Sequence, residues 1–537
     1  MMAIENSNSM PTLAQLFPAV SLDETIRYKP VAGITIDSRE VENNFLFVAV
    51  KGLQFHGKDF AAQAIANGAV AILIDSEESF SLRSTITQMP VPIIALQNME
   101  EKLSRIAGDF YGQPSYTVPV IGITGTNGKT TCSQLLAQSF ALMDVPCGVM
   151  GTLGYGLISK KLLESDNDLQ GVLTETGMTT TDPVRTQNIC AILSERGANV
   201  IAMEVSSHGL SQFRVADIFI RTAVFTNLTH DHLDYHGSMA EYGAAKAMLF
   251  AMPSVTSAVI NLDDSFSVTL IQQLRPDIQL VTYSLESGDG SLEGSDGGVT
   301  QVTCAESIPS SAHFSVKSIV ASDQGTEAIL LSPQGEYAIK TALVGQFNIS
   351  NLLAIIASLY VNRYSLDSIV ASLPLLKPVP GRMEVIPNKL GIQVVIDYAH
   401  TPDALKNTLL ALKPHLVGKL WCVFGCGGDR DREKRPEMAA IAEALADQVV
   451  LTSDNPRTES SVQIFADIEA GFSTPRDVIV DRAGAIEFAV SHAERGDILL
   501  IAGKGHENYQ IIGERSFPFS DHNEARLSLR RREQEAK

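Results

Sequence analysis

"VIGITGTNGKTTCSQLLAQSFALM", residues 120–143, decides how this chain is read. An apolar run meets a glycine-bearing stretch, and a helical pattern opens on Lys129, Thr130 and Thr131. Strand, glycine loop, helix is the layout in which backbone N–H groups and a helix N-terminus close around phosphate. Lys129 then reaches β- and γ-phosphates, and the Thr130 hydroxyl is a Mg2+ ligand. The common phosphate-loop spacing wants glycine where Ile123 stands, whereas here glycines are at 122 and 125. The strict pattern fails by one residue, while the GKT core and its context hold. The alternative is a glycine-rich turn with an incidental lysine; GKTT opening a helix favours the nucleotide.

Outward from this segment, apolar runs alternate with helical patterns. "VAGITID", "NNFLFVAV" and "DFAAQAIANGAVAILID" occupy residues 31–110, and "NVIAMEVSS" and "TAVFTNL" follow the loop. "IQVVIDYA", "KLWCVFGCGG", "QVVLTSD" and "DILLIAGKG" come later. Interleaved strands and helices of this kind build α/β sheets, which bind ligands at the carboxyl ends of their strands. "YGQPSYTVP" (111–119) and "LKPVPGRMEV" (376–385) read as linkers. The expectation is therefore three α/β domains: a small N-terminal one over 1–112, a central P-loop ATPase sheet over 113–378, and a C-terminal Rossmann-like domain over 379–537. A length of 537 residues suits three domains of roughly 150–200 each. "NISNLLAIIASLYV" reads as an amphipathic helix, and "ESGDGSLEGSDGGVT" (286–300) as a mobile surface loop.

With 41 Lys plus Arg against 61 Asp plus Glu, the net charge is −20. That balance argues against nucleic acid or an anionic membrane as partner, since both call for a basic surface. An anionic small substrate remains possible through a few well-placed cations. Six cysteines at scattered positions form no CxxC pair and read as reduced thiols in the cytosol. The first twenty residues carry no basic-then-apolar leader, and no apolar run is long enough to span a bilayer. The expectation is a soluble cytoplasmic protein, without membrane insertion, and a monomer.

Strand ends then supply candidate chemistry. "VIAMEVSSHGL" ends a strand in Glu204, where a metal-holding acid would stand. "FTNLTHDHLDYHG" packs His230, Asp231, His232, Asp234 and His236 into seven residues, which is either metal or phosphate chemistry or a turn of solvated histidines. "SDNPRTES" (453–460) puts Arg457 after Pro456, either as surface decoration or as a handle for an anion. In "GDRDREKRP", Arg432, Lys434 and Arg435 read as a solvated charge run, and Trp421, Cys422 and Cys426 as core.

Ten blocks now stand in order: "GTNGKTT", "MEVSSHGL", "TNLTHDHLDYHG", "YGAAKAMLF", "GQFNISN", "PGRMEV", "DYAHTPD", "GCGGDRDREKRP", "DNPR" and "AGKGHE". They run from 125 to 507, and "TIDSRE…FLFVAVKG" extends them to the N-terminal region. Together they resemble the Mur ligases, which join amino acids to the nucleotide precursor of bacterial peptidoglycan. The resemblance implies an ATP-dependent acid–amino-acid ligase working through an acyl phosphate. "GGDR" with "DNPR" implies addition of meso-diaminopimelate to UDP-N-acetylmuramoyl-L-alanyl-D-glutamate. The alternatives are a sister ligase using L-lysine or another diamino acid, a folate polyglutamate ligase, or a P-loop switch protein.

By that resemblance Lys129, Glu204, His232 and Lys246 are catalytic, and two Mg2+ ions are held by Thr130, Glu204, His232 and a carbamoylated Lys246. ATP would be bound by Gly125, Thr126, Asn127, Gly128, Lys129, Thr130, Thr131, Asn348, Arg382 and Asp397, with His400 nearby. The UDP substrate would meet Ile36, Ser38, Leu53, Gln54, Phe55, Thr179, Thr180, Ser206, Gln212 and Arg214. Diaminopimelate would meet Arg430, Asp454, Asn455, Pro456, Arg457, Gly503 and Glu507. Arg457 is the specificity handle in this reading, because a planar guanidinium pairs with the distal carboxylate that lysine lacks.

Overall fold

The computed structural model describes residues 10–52, 55–79, 91–165, 170–285, 292–293, 299–300, 312–322 and 325–535. Leu53, Gln54, Cys304 and nearly all of the 286–300 stretch lie outside them.

Three main sheets follow one another along the chain. The first has four parallel strands in sequential order: Gly33–Thr35, Phe45–Val48, Ala69–Asp75 and Ile93–Leu96. Parallel strands need cover on both faces. Helix Met99–Phe110 supplies one cover, setting Leu103, Ile106 and Phe110 into the cluster of Leu46, Val48 and Leu73.

The central sheet has ten strands. Val120–Thr124 lies within it, parallel to Val200–Glu204 on one side and Ile220–Phe225 on the other. All five of its residues are buried, as a continuous apolar run between parallel neighbours should be. Beyond Ile220–Phe225 come Ser257–Asn261, Gln279–Tyr283 and three longer strands that end in antiparallel pairing. Helix Gln346–Val361 differs from its amphipathic reading: twelve of its sixteen residues are buried. Its sequence is apolar almost all round, and such a helix belongs inside. It packs against the phosphate-loop helix Lys129–Leu142 in one core cluster, each buried Leu or Ile contributing about 1.5–3 kcal/mol.

The third sheet has six strands, with Glu384–Ile386 antiparallel at one edge and the rest parallel. Ile498–Ala502, though late in sequence, inserts between Gln393–Asp397 and Leu420–Phe424. The turns leaving Phe424, Leu451 and Ala502 therefore open on the same sheet edge, beside the point where strand order reverses. Trp421, Cys422 and Cys426 are core residues, and the Trp421 indole N–H donates to Asp497 at 3.0 Å. Among the described residues no helix is long and apolar enough to cross a membrane.

Arg435 corrects the reading of "GDRDREKRP" as a solvated run. Helix Lys434–Leu445 turns its guanidinium inward, where it is wholly buried and pairs with Glu459 at 2.6 Å and Asp467 at 2.7 Å. Arg432 alone keeps the surface character, more than half exposed while pairing with Asp467. Lys434 donates to the His400 carbonyl at 2.9 Å and is only partly exposed. Hydrogen bonding from Arg435 holds the Glu459 carboxyl down, from 4.5 to about 2. A lowered carboxylate pKa contributes stability that is present above the unfolded value and lost as pH falls through the folded one. Arg435→Ala is thus expected to destabilise the C-terminal domain by about 3 kcal/mol at neutral pH. It should also flatten the loss of stability between pH 4.5 and about 2, measured by thermal unfolding across that range.

Candidate active site

The loop after Val120–Thr124 is held from below by the next strand's exit. Thr126 N–H donates to the Asn227 carbonyl, and Asn127 N–H to the Asn227 side chain, both at 2.8 Å. Gly125 sits at φ 153°, and a Cβ there would lie 1.8 Å from Thr226 Oγ1. Only glycine lets the two strand exits close on each other this tightly. Lys129 folds its ammonium back onto the loop, donating to the Gly125 and Thr126 carbonyls at 2.8 and 2.9 Å. The lysine is thus aimed across the same concavity that a phosphate would fill.

Glu204, fully buried at its strand end, is the hub beside this loop. It accepts from the Thr130 hydroxyl at 2.9 Å, the Thr152 hydroxyl at 2.9 Å and the Thr152 N–H at 3.0 Å. Thr130 also accepts from Arg382, of the C-terminal sheet's entry segment, at 3.2 Å. The Arg382 guanidinium lies over the Tyr398 ring at 4.3 Å. Asp397 accepts from the Met383 and Ala399 N–H groups at 2.8 and 2.9 Å, which fixes the backbone on both sides of it. Burial raises the Asp397 pKa, with Arg382 opposing.

Between the two sheets these residues enclose a cavity of about 280 Å³, walled by the phosphate loop, Arg382, Asp397, His400 and Asp403. Asn348 stands apart from that lining. Its amide donates to the Val344 carbonyl at 2.8 Å, and it borders a neighbouring cavity of about 410 Å³ together with Lys377, Arg382 and Arg526. Asn351, three residues on, lines the first cavity instead.

The histidine-rich turn and the Lys246 helix meet beside the loop. Helix Met239–Ala251 is capped by Ser238, whose hydroxyl oxygen accepts from the Glu241 N–H at 3.2 Å. The cap sets the helix so that Tyr242, Lys246 and Leu249 face inward. Lys246 is 1% exposed, with its ammonium 4.2 Å from the Tyr242 ring centre. Burial, reinforced by Lys129, holds its pKa well below the ordinary lysine range. Tyr242 in turn shares a hydrogen bond with Thr126 at 3.2 Å. His232 sits at φ 55° and 3.4 Å from Asp231, and burial pushes its pKa down to about 4, so the ring is neutral near pH 7. Among the described residues no three His, Cys, Asp or Glu side chains form a metal-holding group.

A second group lies past Glu204. Thr180 donates to the Glu204 carbonyl and accepts from the Ser206 N–H, both at 3.0 Å. Arg214 donates to the Thr180 carbonyl at 2.5 Å and to Gln212 at 2.6 Å, so these four residues form one polar surface. Thr179 joins it to the loop region through Thr152 at 3.0 Å. In the N-terminal sheet Ser38 is buried and donates to Gln63 at 2.9 Å, and Ile36 is partly buried at the end of its strand. Phe55 is 68% exposed, against Phe60.

At the edge of the C-terminal sheet, three turns converge. Arg457, at φ 52°, donates to the Gly428 carbonyl at 2.8 Å, while its own backbone is clamped by Ile511 and Gly513. Asp454 and Asn455 are buried in the same turn, and Asn455 donates to Glu507 at 2.9 Å. Gly503 approaches so closely that a Cβ would lie 2.7 Å from the Asp454 carboxylate. Arg430 stays exposed on the rim, donating to the Asp429 carbonyl at 2.9 Å. Asn508 reaches Glu175 at 2.9 Å, tying this pocket to the segment that leads into Thr179 and Thr180.

Sequence reading missed Thr152, Asn351, Asp403 and Lys504. Asn351 was within reach, since it lies one helical turn from Asn348. Thr152 carried no signal beyond being polar at a strand end, because its importance comes from a partner 52 residues away.

The chain is matched by three family models. "Mur ligase family, catalytic domain" matches residues 30–111, "Mur ligase middle domain" 123–359, and "Mur ligase, glutamate ligase domain" 381–505. A UDP-N-acetylmuramoyl-L-alanyl-D-glutamate--2,6-diaminopimelate ligase of Ectopseudomonas mendocina is 45% identical over 519 residues, covering 96% of this chain and 98% of that one. The enzyme of the same name from Coxiella burnetii is 42% identical over 501 residues, covering 93% and 96%. A solved structure with that name superposes with a TM-score of 0.64 at 34% identity, covering 98% and 99%. A MurF ligase from Thermotoga maritima in complex with ADP shares the fold at 18% identity, with a TM-score of 0.61 over 94% and 98%.

The cavity geometry makes Lys129 the cation that a polyphosphate would recruit. Lys129→Met is expected to weaken binding of a fluorescent ATP analogue 10- to 100-fold, about 1.4–2.7 kcal/mol, with the thermal midpoint nearly unchanged.

Proposed function

The chain belongs to the Mur ligase family, and on that premise we propose that it joins 2,6-diaminopimelate to the D-glutamate carboxylate of UDP-N-acetylmuramoyl-L-alanyl-D-glutamate, converting ATP to ADP and phosphate. The observation that carries the reading is the pocket at the C-terminal sheet edge, where Arg457 stands beside Asp454 and Glu507. One cation and two acids side by side suit the distal end of diaminopimelate, which carries both a carboxylate and an ammonium. Lysine has no second carboxylate and would leave Arg457 unpaired. We take the acceptor as the meso isomer, the setting as cytoplasmic peptidoglycan precursor synthesis, and the enzyme as a monomer. The three segments 1–112, 113–378 and 379–537 serve the UDP end, ATP and the amino acid respectively.

In this mechanism ATP lies in the cavity between the sheets. Its phosphates sit on the Gly125–Thr131 loop and the N-terminus of helix Lys129–Leu142, and Lys129 gives up its loop carbonyls for phosphate oxygens. Arg382 holds negative charge from the far side and Asp397 lines the nucleotide cavity, while Asn348 serves from the neighbouring cavity that shares Arg382 as a wall. The substrate's glutamate carboxylate attacks the γ-phosphorus, the bond to ADP breaks, and an acyl phosphate forms. The acceptor amine then attacks the carbonyl carbon. The tetrahedral intermediate expels phosphate, and the amine loses its proton. Ile36, Ser38, Leu53, Gln54 and Phe55 hold the UDP end, and Thr179, Thr180, Ser206, Gln212 and Arg214 the peptide. Arg430 takes the carboxylate next to the reacting amine, while Gly503 and Glu507 meet the distal amine.

The hydroxyl and carboxylate of Thr130 and Glu204 are hard oxygen donors that fit Mg2+. A second ion would be held by His232, neutral near pH 7, and by Lys246 after carbamoylation. A buried lysine of low pKa keeps a free amine that can add carbon dioxide, forming an N–C bond and releasing a proton. When bound, Mg2+ offsets the charge of the phosphate oxygens as the two anions approach.

The test is ADP release with ATP, Mg2+ and UDP-N-acetylmuramoyl-L-Ala-D-Glu, comparing meso-diaminopimelate with L-lysine. Diaminopimelate should be preferred by at least about 100-fold in kcat/KM, roughly 2.7 kcal/mol, and Arg457→Ala should lose that preference. Equal use of lysine would remove the diaminopimelate assignment, and ADP release that needs no amine would remove the ligase. Exhaustive removal of carbon dioxide should lower the rate, bicarbonate should restore it, and Lys246→Ala should be inactive with or without bicarbonate.

A further inference from the structure

Lys504 is a fully buried cation whose partners all belong to the amino-acid pocket. It leaves the carboxyl end of strand Ile498–Ala502 directly after Gly503 and is 0% exposed. Its ammonium donates to Asn455 Oδ1 at 2.9 Å and to Glu507 Oε2 at 3.1 Å, with Asp454 Oδ1 at 4.0 Å. A buried ammonium is costly unless it is paired and hydrogen-bonded, and here its hydrogen-bonding partners lie on the acidic side of one pocket, with the Tyr509 ring 5.7 Å away. Asn455, fixed by Lys504 and by the Ile511 N–H at 2.9 Å, turns its amide to Glu507. Beneath the turn, Arg482 and Asp521 form a closed ion pair at 2.7 Å and add no net charge. Arg430 remains on the exposed rim.

The pocket proper therefore holds two carboxylates, Asp454 and Glu507, against two cations, Arg457 and Lys504. These four inner charges cancel before any ligand arrives, with Arg430 left on the rim beside Arg457 for the acceptor's other carboxylate. We propose that Lys504 is a positioning and specificity-determining residue, whose buried ammonium balances Asp454 and Glu507 so that the pocket admits an acceptor with a zwitterionic distal end and penalises one bringing a lone ammonium. The proposal rests on the ligase reading above and extends it. A zwitterionic end brings its carboxylate to Arg457 and its ammonium to the acids, and the balance is kept. A diamino acid without the second carboxylate adds one unmatched positive charge in a desolvated site, besides leaving Arg457 unpaired. Arg457 supplies the attraction in this scheme, and Lys504 supplies the repulsion on which discrimination also depends.

The experiment measures kcat and KM for meso-diaminopimelate and for L-lysine in the wild type, Lys504→Met and Lys504→Gln, with KM for ATP and for the UDP-substrate alongside. Lys504→Met should raise KM for diaminopimelate ten-fold or more, with kcat at saturation within about three-fold of wild type. The ratio of kcat/KM for diaminopimelate over lysine should fall at least ten-fold, while KM for ATP and the UDP-substrate stays within about two-fold. Lys504→Gln keeps a donor toward Asn455 but drops the charge, so it should lower the ratio equally, and it decides the matter if the methionine variant does not fold. An unchanged ratio in the folded variants overturns the proposal, as does a parallel rise of all three KM values, which marks a merely structural lysine. A wild type that takes no diaminopimelate overturns the underlying ligase reading instead, a result read without any variant.

Discussion

The Thr130 hydroxyl is the point through which the structure is organised. It donates to Glu204 at 2.9 Å and accepts from Arg382 at 3.2 Å, so one oxygen joins the phosphate loop, the neighbouring strand end and the C-terminal domain. Glu204 is wholly buried, and a buried carboxylate is tolerable only when its lone pairs are used. Thr130 and Thr152 use them, which fixes the loop, the turn after Cys147–Gly151 and the adjoining Thr179 as one unit. Arg382, held to this unit at 3.2 Å, and Asp403, which accepts from Asn127 at 3.2 Å, tie the two walls of the cavity together.

Charge is placed by the same logic elsewhere. A chain with a net charge of −20 sets several of its cations in buried or half-buried positions, where each has a defined anion or carbonyl to answer to, while Arg430 stays exposed. Lys129 lies on the loop carbonyls, Arg457 on Gly428 and Lys504 on Asn455 and Glu507. Lys246 is the exception in kind, because its surroundings disfavour the ammonium and keep the amine. The contact between Asn508 and Glu175 links the two ends of this arrangement, since one lies beside the Arg457 turn and the other in the segment entering Thr179 and Thr180.

The strands and the phosphate loop were legible in sequence, because each is a local pattern: an apolar run of four to seven residues, a glycine where the backbone must close, GKT at a helix start. "QVVLTSDNPR" read as strand and turn, and strand Gln448–Leu451 ends just before that turn. Two readings failed for one reason. Arg435 read as surface and helix Gln346–Val361 as amphipathic, because charge density and periodicity are averages along the chain. Which face is covered depends on what packs there.

By itself, then, the sequence determined the α/β class, the phosphate loop, and the strand ends that carry Glu204, Asp397, Asp454 and Gly503, since these follow from spacing within a few residues. Only the tertiary structure decided which of those ends share a site. Thr152 meets Glu204 across 52 residues, Arg382 meets Thr130 across 252, and Lys504 meets Asn455 across 49. Such contacts are set by strand order in the sheets, above all by the insertion of Ile498–Ala502 between Gln393–Asp397 and Leu420–Phe424. Burial then turns proximity into chemistry, because a low-dielectric setting makes each unpaired charge costly and so selects the partner it must have.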